Sequence, residues 1–301
     1  MNLTTQFTLF TLSILLFCGL IRTNDRTSIR RLGKRDFIPD HPEWEYLNGI
    51  PWYKIDPTQQ DHARFHCYLS MSAYGDYKTK CPQTFLKGFY VLQSFDGGYI
   101  AQIPEMDKIV IVFKGLGNYA IDWTPTSIED LVSDCSGCQA AKGIKDLYLQ
   151  LKSLTNDFAV AKAAVAQTNL RFSVTGHGIG GSLAALCGLD LGARGLIHYV
   201  HNQGMPRTLN LASIVRFDNL FQVLAGQSVV SRDDYSVQVV PPGPLYHVGS
   251  KLHITGPKDQ WLTNCFGNNE NATCLGAGNS YDDHKYYFTP LGECGSADKG
   301  F

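Results

Sequence analysis

Val174-Thr175-Gly176-His177-Gly178-Ile179-Gly180-Gly181-Ser182-Leu183-Ala184 constrains this chain more than any other stretch. A short β-branched run meets a glycine-packed turn, and an apolar helical segment starts directly after it. That is the outline of a nucleophile elbow, Gly-x-Ser-x-Gly, whose sharp strand-to-helix turn exposes a reactive serine. Here the central residue is Gly178. The turn is present and the side chain that would react is absent. Ser173 falls on the strand before the turn and Ser182 inside the helix after it, so neither stands at the apex.

The elbow sits in an alternating pattern. Gln60 to Met71 reads as a helix with Phe65, Tyr68, Leu69 and Met71 on its buried side. Gly98 to Ile103 and Lys108 to Lys114 read as strands joined by the turn-rich Pro104-Glu105-Met106-Asp107. Ile109-Val110-Ile111-Val112-Phe113 is continuously apolar, as expected of a strand covered on both faces. Gly143 to Gln167 carries apolar residues at helical spacing and leads to a strand at Arg171 to Thr175. A helix at Gly181 to Leu191, a strand at Leu196 to His201, a helix at Leu209 to Leu224 and a strand at Gln227 to Val230 follow. This alternation predicts an α/β fold, with a mixed or mostly parallel central sheet covered by helices on both faces.

The ends and the charges bound the setting. Phe7 to Ile21 is an apolar run near the length of a secretory h-region, and shorter than the ~20 residues of a spanning helix. We read residues 1–21 as a signal peptide in preference to an uncleaved anchor, which Arg22, Arg26, Arg30 and Arg31 would also flank. Arg30-Arg31 and Lys34-Arg35 make 22–35 a pro-segment ending at a dibasic site, or a solvated basic linker, and leave 36–301 as a single domain. With 18% charged residues, a net charge of −1 and no basic stripe, nucleic acid is not expected as a partner.

Cys135-Ser136-Gly137-Cys138 has the spacing of a zinc half-site or redox pair, but no second half-site follows, so a local disulfide is the better reading in an exported chain. Cys187, in the apolar helix after the elbow, reads as a buried thiol. Asn271-Ala272-Thr273 is a glycosylation sequon, placing Asn271 on an exposed loop.

Several stretches, taken in order, resemble one family. Gly176-His177-Gly178-Ile179-Gly180-Gly181 resembles the Gly-His-Ser-Leu-Gly-Gly elbow of the class 3 lipases, the fungal-type secreted triacylglycerol lipases. Gly98-Tyr99-Ile100-Ala101 and Ile109 to Gly115 resemble that family's early strands, which end in Phe-Arg-Gly-Thr/Ser. Cys135 to Cys138 with Lys142-Gly143 resembles its Cys-x-x-Cys-x-x-His-x-Gly segment, and Gly204-Met205-Pro206-Arg207-Thr208-Leu209-Asn210 its Gly-x-Pro-Arg-x-Gly-Asn. Asp283-His284-Lys285-Tyr286-Tyr287-Phe288 is similar to its closing Asp/Asn-His-x-x-Tyr-Phe. The resemblance covers most of 60–295 and implies an α/β-hydrolase fold.

It also implies roles. The family's serine attacks an ester carbonyl, a histidine carries its proton, and an aspartate holds the imidazole tautomer. Here Gly178 takes the serine's place, His284 matches the histidine, and His177 matches a structural histidine beside the nucleophile. The acid falls in Arg232-Asp233-Asp234-Tyr235: counting from Arg232 selects Asp234, counting back from Pro241-Pro242 selects Tyr235, and Asp233-Asp234 also reads as a plain solvated turn. We favour Asp234. His247 and His253 are expected to be framework residues on later strands. The oxyanion donors would be Leu116, which lacks the family's hydroxyl, and the Ile179 N–H. A lid at Gly117 to Ile128 would present Ile121, Trp123 and Ile128 on a short helix, which Pro125 would kink. By position, Cys67–Cys294, Cys135–Cys138 and Cys265–Cys274 would pair, leaving Cys81 and Cys187 as thiols. The implied ligand is a lipid or acyl ester. No cofactor, no metal and no nucleic acid are expected, with a monomeric, secreted chain touching membrane or lipid-droplet surfaces only peripherally.

Three functions compete: a lipase-like protein that has lost ester hydrolysis and keeps acyl binding, a weak carboxylic ester hydrolase in which His284 and Asp234 activate water directly, and a secreted interaction scaffold. Fold alone does not choose among them.

Overall fold

A computed structural model of the chain describes residues 57–84, 89–115, 120–256, 262–265 and 270–294. Residues 1–35, read above as a signal peptide and pro-segment, and Leu116 lie outside the described residues.

An eight-stranded sheet runs through the molecule in the order β1-β2-β3-β6-β7-β8-β9-β10. Its centre is parallel: β3 (Lys108–Phe113), β6 (Arg171–His177), β7 (Tyr199–Gln203), β8 (Gly226–Ser231) and β9 (Ser250–Ile254). Antiparallel strands close both edges, β1 (Tyr90–Phe95) with β2 (Gly98–Ile103) at one end and β10 (Leu262–Cys265) at the other. All six residues of β3 are buried, which explains its unbroken apolar run: both faces of a parallel strand are covered.

Two hydrophobic clusters flank the sheet. One is built under α1 (Pro57–Ser72), where Phe65, Tyr68, Leu69 and Met71 are buried, as their spacing predicts. The other is built under α3 (Lys142–Leu154), α4 (Ala159–Thr168), α5 (Ile179–Ala193) and α6 (Leu211–Ala225). Helix α3 buries Ile144, Tyr148 and Leu151 on one stripe, while α5 is buried nearly all round and carries apolar or small residues on every face. Short segments complete the fold: α2 (Tyr77–Thr84), the hairpin β4 (Pro125–Ser127) with β5 (Gln139–Ala141), α7 (Ala272–Leu275) and α8 (Tyr281–His284).

Four expectations change. The helical stretch 143–167 is two helices, because Asn156, Asp157 and Phe158 take left-handed backbone angles in succession and turn the chain, burying Phe158. Among the described residues of the expected lid there is no helix: Ile121 and Trp123 lie in irregular chain, packed partly against the core, and Ile128 follows β4, fully buried. Backbone bonds from Gly143 to Asp122 and from Lys142 to Thr124, at 2.8 and 2.9 Å, zip this segment to the start of α3 instead. His247 precedes β9 rather than lying on a strand, while His253 is on it.

The fourth change concerns the disulfides. Cys135–Cys138 and Cys265–Cys274 are bonded as the resemblance implied, but Cys294 bonds Cys81 and not Cys67. Cys67 is a buried thiol inside the α1 cluster, as Cys187 is within α5. The C-terminal segment runs past the end of α1, where the Gly292 N–H donates to the Met71 carbonyl at 2.9 Å, and so reaches α2 and its Cys81.

Candidate active site

The site forms where the parallel strands end. Gly178 follows β6 and caps α5 with φ 59° and ψ −125°, a backbone region that L side chains rarely adopt. The turn is this tight because the helix start lies against neighbouring strands: a Cβ on Gly180 would come within 2.4 Å of the Phe113 carbonyl oxygen. Glycine at 180 is therefore a packing requirement.

Asp234 follows β8 and is fully buried. Its side chain caps a short 3₁₀ turn, Tyr235–Gln238, by accepting from the Ser236 N–H at 2.7 Å. The Tyr287 hydroxyl also donates to it. Both carboxylate oxygens face His284 Nδ1 at 3.0 Å. Burial by itself would raise the Asp234 pKa, but the bond and charge of His284, with Tyr287 and Ser236, hold it below the usual carboxylate value. Asp233 instead braces the loop, accepting from the Ala277 N–H at 2.7 Å, while its carbonyl takes the Ser280 N–H at 2.8 Å.

His284 ends α8 with its side chain 16% exposed, so it reaches both the buried acid and the site mouth. With Nδ1–H given to Asp234, Nε2 faces Gly178: a Cβ built there would lie 3.3 Å from it. Tyr235 stands edge-on to the imidazole, with ring centroids 5.2 Å apart.

His177 lies behind this pair, its ring centroid 4.3 Å from that of His284. Its Nε2 sits 2.8 Å from the His284 carbonyl, which can only accept, so Nε2 carries the proton and Nδ1 accepts from the Tyr74 hydroxyl at 2.8 Å. Burial, helped by the neighbouring His284, pushes the His177 pKa down to about 3 and keeps it neutral. Tyr74 in turn accepts the Gly115 N–H at 2.6 Å, which fastens the end of β3 to the elbow. Neither Tyr74 nor Tyr287 was singled out from sequence; Tyr287 lies within the quoted closing motif, and Tyr74 has no local signal.

The other expected residues fall as follows. Ile179, whose N–H would be an oxyanion donor, opens α5 directly after Gly178. Ser182 is buried and bonded to Thr208 Oγ1 at 2.6 Å, and Ser173 is buried on β6, so neither reaches the elbow apex. His253 spans the Thr273 and Arg232 carbonyls at 3.0 and 2.8 Å, bracing the loop that carries Asp234. Asn271 is part-buried and caps α7, accepting from the Thr273 N–H. Among the described residues no group of three His, Cys, Asp or Glu is placed to hold a metal ion.

The arrangement can hold and orient an imidazole, with its free nitrogen aimed at the elbow apex. It offers no side chain there to activate.

Residues 112–243 match the family model described as lipase (class 3). The chain is 25% identical over 233 residues to the secreted mono- and diacylglycerol lipase A of Penicillium cyclopium, covering 73% of this chain and 68% of that relative. A lipase of Rhizopus niveus is 29% identical over 108 residues, 34% of this chain and 26% of that relative. Among solved structures, lipase II from Rhizopus niveus superposes with a TM-score of 0.67 at 21% identity, covering 79% of this chain and 97% of that one. The Lip2 lipase from Yarrowia lipolytica superposes with a TM-score of 0.69 at 19% identity, covering 81% and 98%. These superpositions show a shared α/β-hydrolase fold.

Proposed function

Since this chain belongs to the class 3, fungal-type lipase family, we propose that it is a secreted lipase-like protein that has lost ester hydrolysis and retains an acyl-binding site. The observation that carries this reading is the glycine at the elbow apex, facing an intact Asp234–His284 pair. Acyl transfer by this chemistry starts with a side-chain oxygen attacking the ester carbonyl, and position 178 has none. Loss of the hydroxyl at Leu116 weakens the second requirement, since one oxyanion donor typically contributes 10²–10³ in rate. The bonded, buried Asp234 and the elbow braced through Tyr74 argue that the framework of the site is still maintained. Three disulfides and relatives named as secreted support an extracellular setting for a chain with an apolar leader.

The test is an ester hydrolysis assay on purified protein, with short- and long-chain substrates beside an active family member. The reading predicts no turnover above the no-protein control, and retention of a long-chain fatty acid in native mass spectrometry. Turnover within tenfold of the active enzyme would overturn it.

A second reading has one specific observation behind it. The space above Gly178 is bounded by His284 Nε2, so a water bonded there would face a base oriented by a carboxylate. Sites missing a triad member keep roughly 10³–10⁴-fold acceleration over water through binding and the oxyanion hole. This reading predicts slow turnover that His284→Ala abolishes.

A further inference from the structure

A second cluster of histidines lies away from the elbow, under α1. His66 on α1 and His201 on β7 are fully buried and stacked, with ring centroids 3.8 Å apart and planes 12° from parallel. His62, one turn earlier on α1, stands edge-on to both at 6.1 and 6.3 Å. The Nδ1–H of His66 donates to the His62 carbonyl at 2.8 Å, which leaves its Nε2 a bare lone pair with no partner. Neither ring nitrogen of His201 has a partner. Two imidazoles in face-to-face contact tolerate this only while both are neutral.

The surroundings oppose a proton. β3 presents Lys108, whose Nζ lies 4.1 Å above the Tyr199 ring of β7. β6 presents Arg171, bonded to the Tyr199 hydroxyl at 2.7 Å. The nearby carboxylates are already taken: Asp107 pairs with Arg171 at 3.0 Å, and Asp61 with Arg64 at 3.7 Å. Burial, reinforced by neighbouring charge and imidazoles, drives the His66 and His201 pKa values well below the ordinary value. In the unfolded or detached segment the same rings would titrate near 6.5. Detachment therefore takes up protons, and acid favours it.

The stack is also where α1 meets the sheet, and α1 leads straight to the site. Two residues beyond its end, Tyr74 holds the Gly115 N–H and His177. The Cys81–Cys294 disulfide, on α2 just beyond, would keep a released helix attached. We propose that α1 is an acid-released latch: proton uptake by the His66–His201 stack parts α1 from β6 and β7 and withdraws Tyr74 from Gly115 and His177. This goes beyond the loss of hydrolysis and holds whichever reading of the elbow is right.

Hydrogen exchange on the full chain between pH 7.5 and 5, corrected for intrinsic exchange rates, tests the latch. The expected result is that the opening constant of the 61–75 segment rises by about 100-fold per pH unit or more well below 6.5, two protons from His66 and His201 with part-buried His62 adding to the slope, while β8 and β9 stay protected. Opening of α1 only together with β8, or with no pH dependence, overturns the proposal. His201→Phe keeps a ring in the stack and removes its proton, so the slope should fall by a factor of about ten per pH unit; an unchanged slope overturns it. Should that variant not fold, histidine Cε1 NMR on the natural chain decides. Both resonances should stay at neutral positions until α1 opens and then move together. Separate titrations near pH 6.5 with α1 still protected would contradict it.

Discussion

The imidazole of His284 stands directly over Gly178, its Cε1 3.2 Å and its Nε2 3.3 Å from where a Cβ would be, a tight van der Waals contact. A side chain at 178 fits once the imidazole gives by a few tenths of an ångström. Restoring serine at this φ of 59° should cost about 1–3 kcal/mol of backbone strain. Gly178→Ser is therefore expected to fold and to melt a few degrees below the natural chain, measured by differential scanning calorimetry. Failure to fold would show that the elbow has closed.

Asp234 is a framework residue as well as a partner of His284. Asp234→Ala would strand three donors: the Ser236 N–H, the Tyr287 hydroxyl and the His284 Nδ1–H. An unsatisfied buried donor costs ~1–3 kcal/mol, and with some relief by water we expect a total loss of about 3 kcal/mol in urea denaturation. A loss below about 1 kcal/mol would contradict the observed network.

His177 makes stability depend on pH in a defined direction. Its pKa is about 3 in the folded chain, against about 6.5 when unfolded. Below 6.5 the unfolded chain binds a proton that the folded chain refuses, so stability falls as pH drops. From His177 alone the loss is about 1.4 kcal/mol per pH unit, or about 2 kcal/mol between pH 6.5 and 5. His177→Gln should flatten the urea midpoint over this interval by that amount, relative to the natural chain.

What the sequence disclosed follows from the range of each signal. The elbow was legible because some of its glycines are dictated by contacts a few residues apart, such as Gly176 against the Gly180 carbonyl. The unbroken run 109–113 was legible because burial on both faces allows no polar residue. Asp234 was favoured over Tyr235 only by counting from Arg232, since the choice depends on a 3₁₀ turn that points one inward, and no local spacing encodes it. The break between α3 and α4 had a signal in Asn156-Asp157, two residues that tolerate left-handed angles, which the apolar periodicity outweighed. Trp123 and Ile128 suggested a helix, whereas Pro125 opens a strand paired with 139–141, a contact made across a loop. Tyr74 and the His66–His201 stack join segments more than 100 residues apart, and nothing in their own neighbourhoods announces them.

The helix-to-terminus disulfide gives a mapping test. Cys81–Cys294 closes a separation of 213 residues, and removing a disulfide of this kind typically costs ~2–4 kcal/mol. Cys81→Ser should lower the melting temperature by several degrees, and Cys67→Ser by less. Peptide mapping without reduction should recover Cys81 linked to Cys294, with Cys67 alkylated only after denaturation. A Cys67–Cys294 peptide would contradict the assignment.

The central claim is that Gly178 removes the nucleophile from a site that keeps its oriented Asp234–His284 pair. A fluorophosphonate that reports activated serines, followed by intact mass, tests it directly on the natural chain and on Gly178→Ser. The account predicts no adduct on the natural chain, and one equivalent on the variant at residue 178, lost again when His284→Ala is added. Stoichiometric labelling of the natural chain at another serine would contradict it.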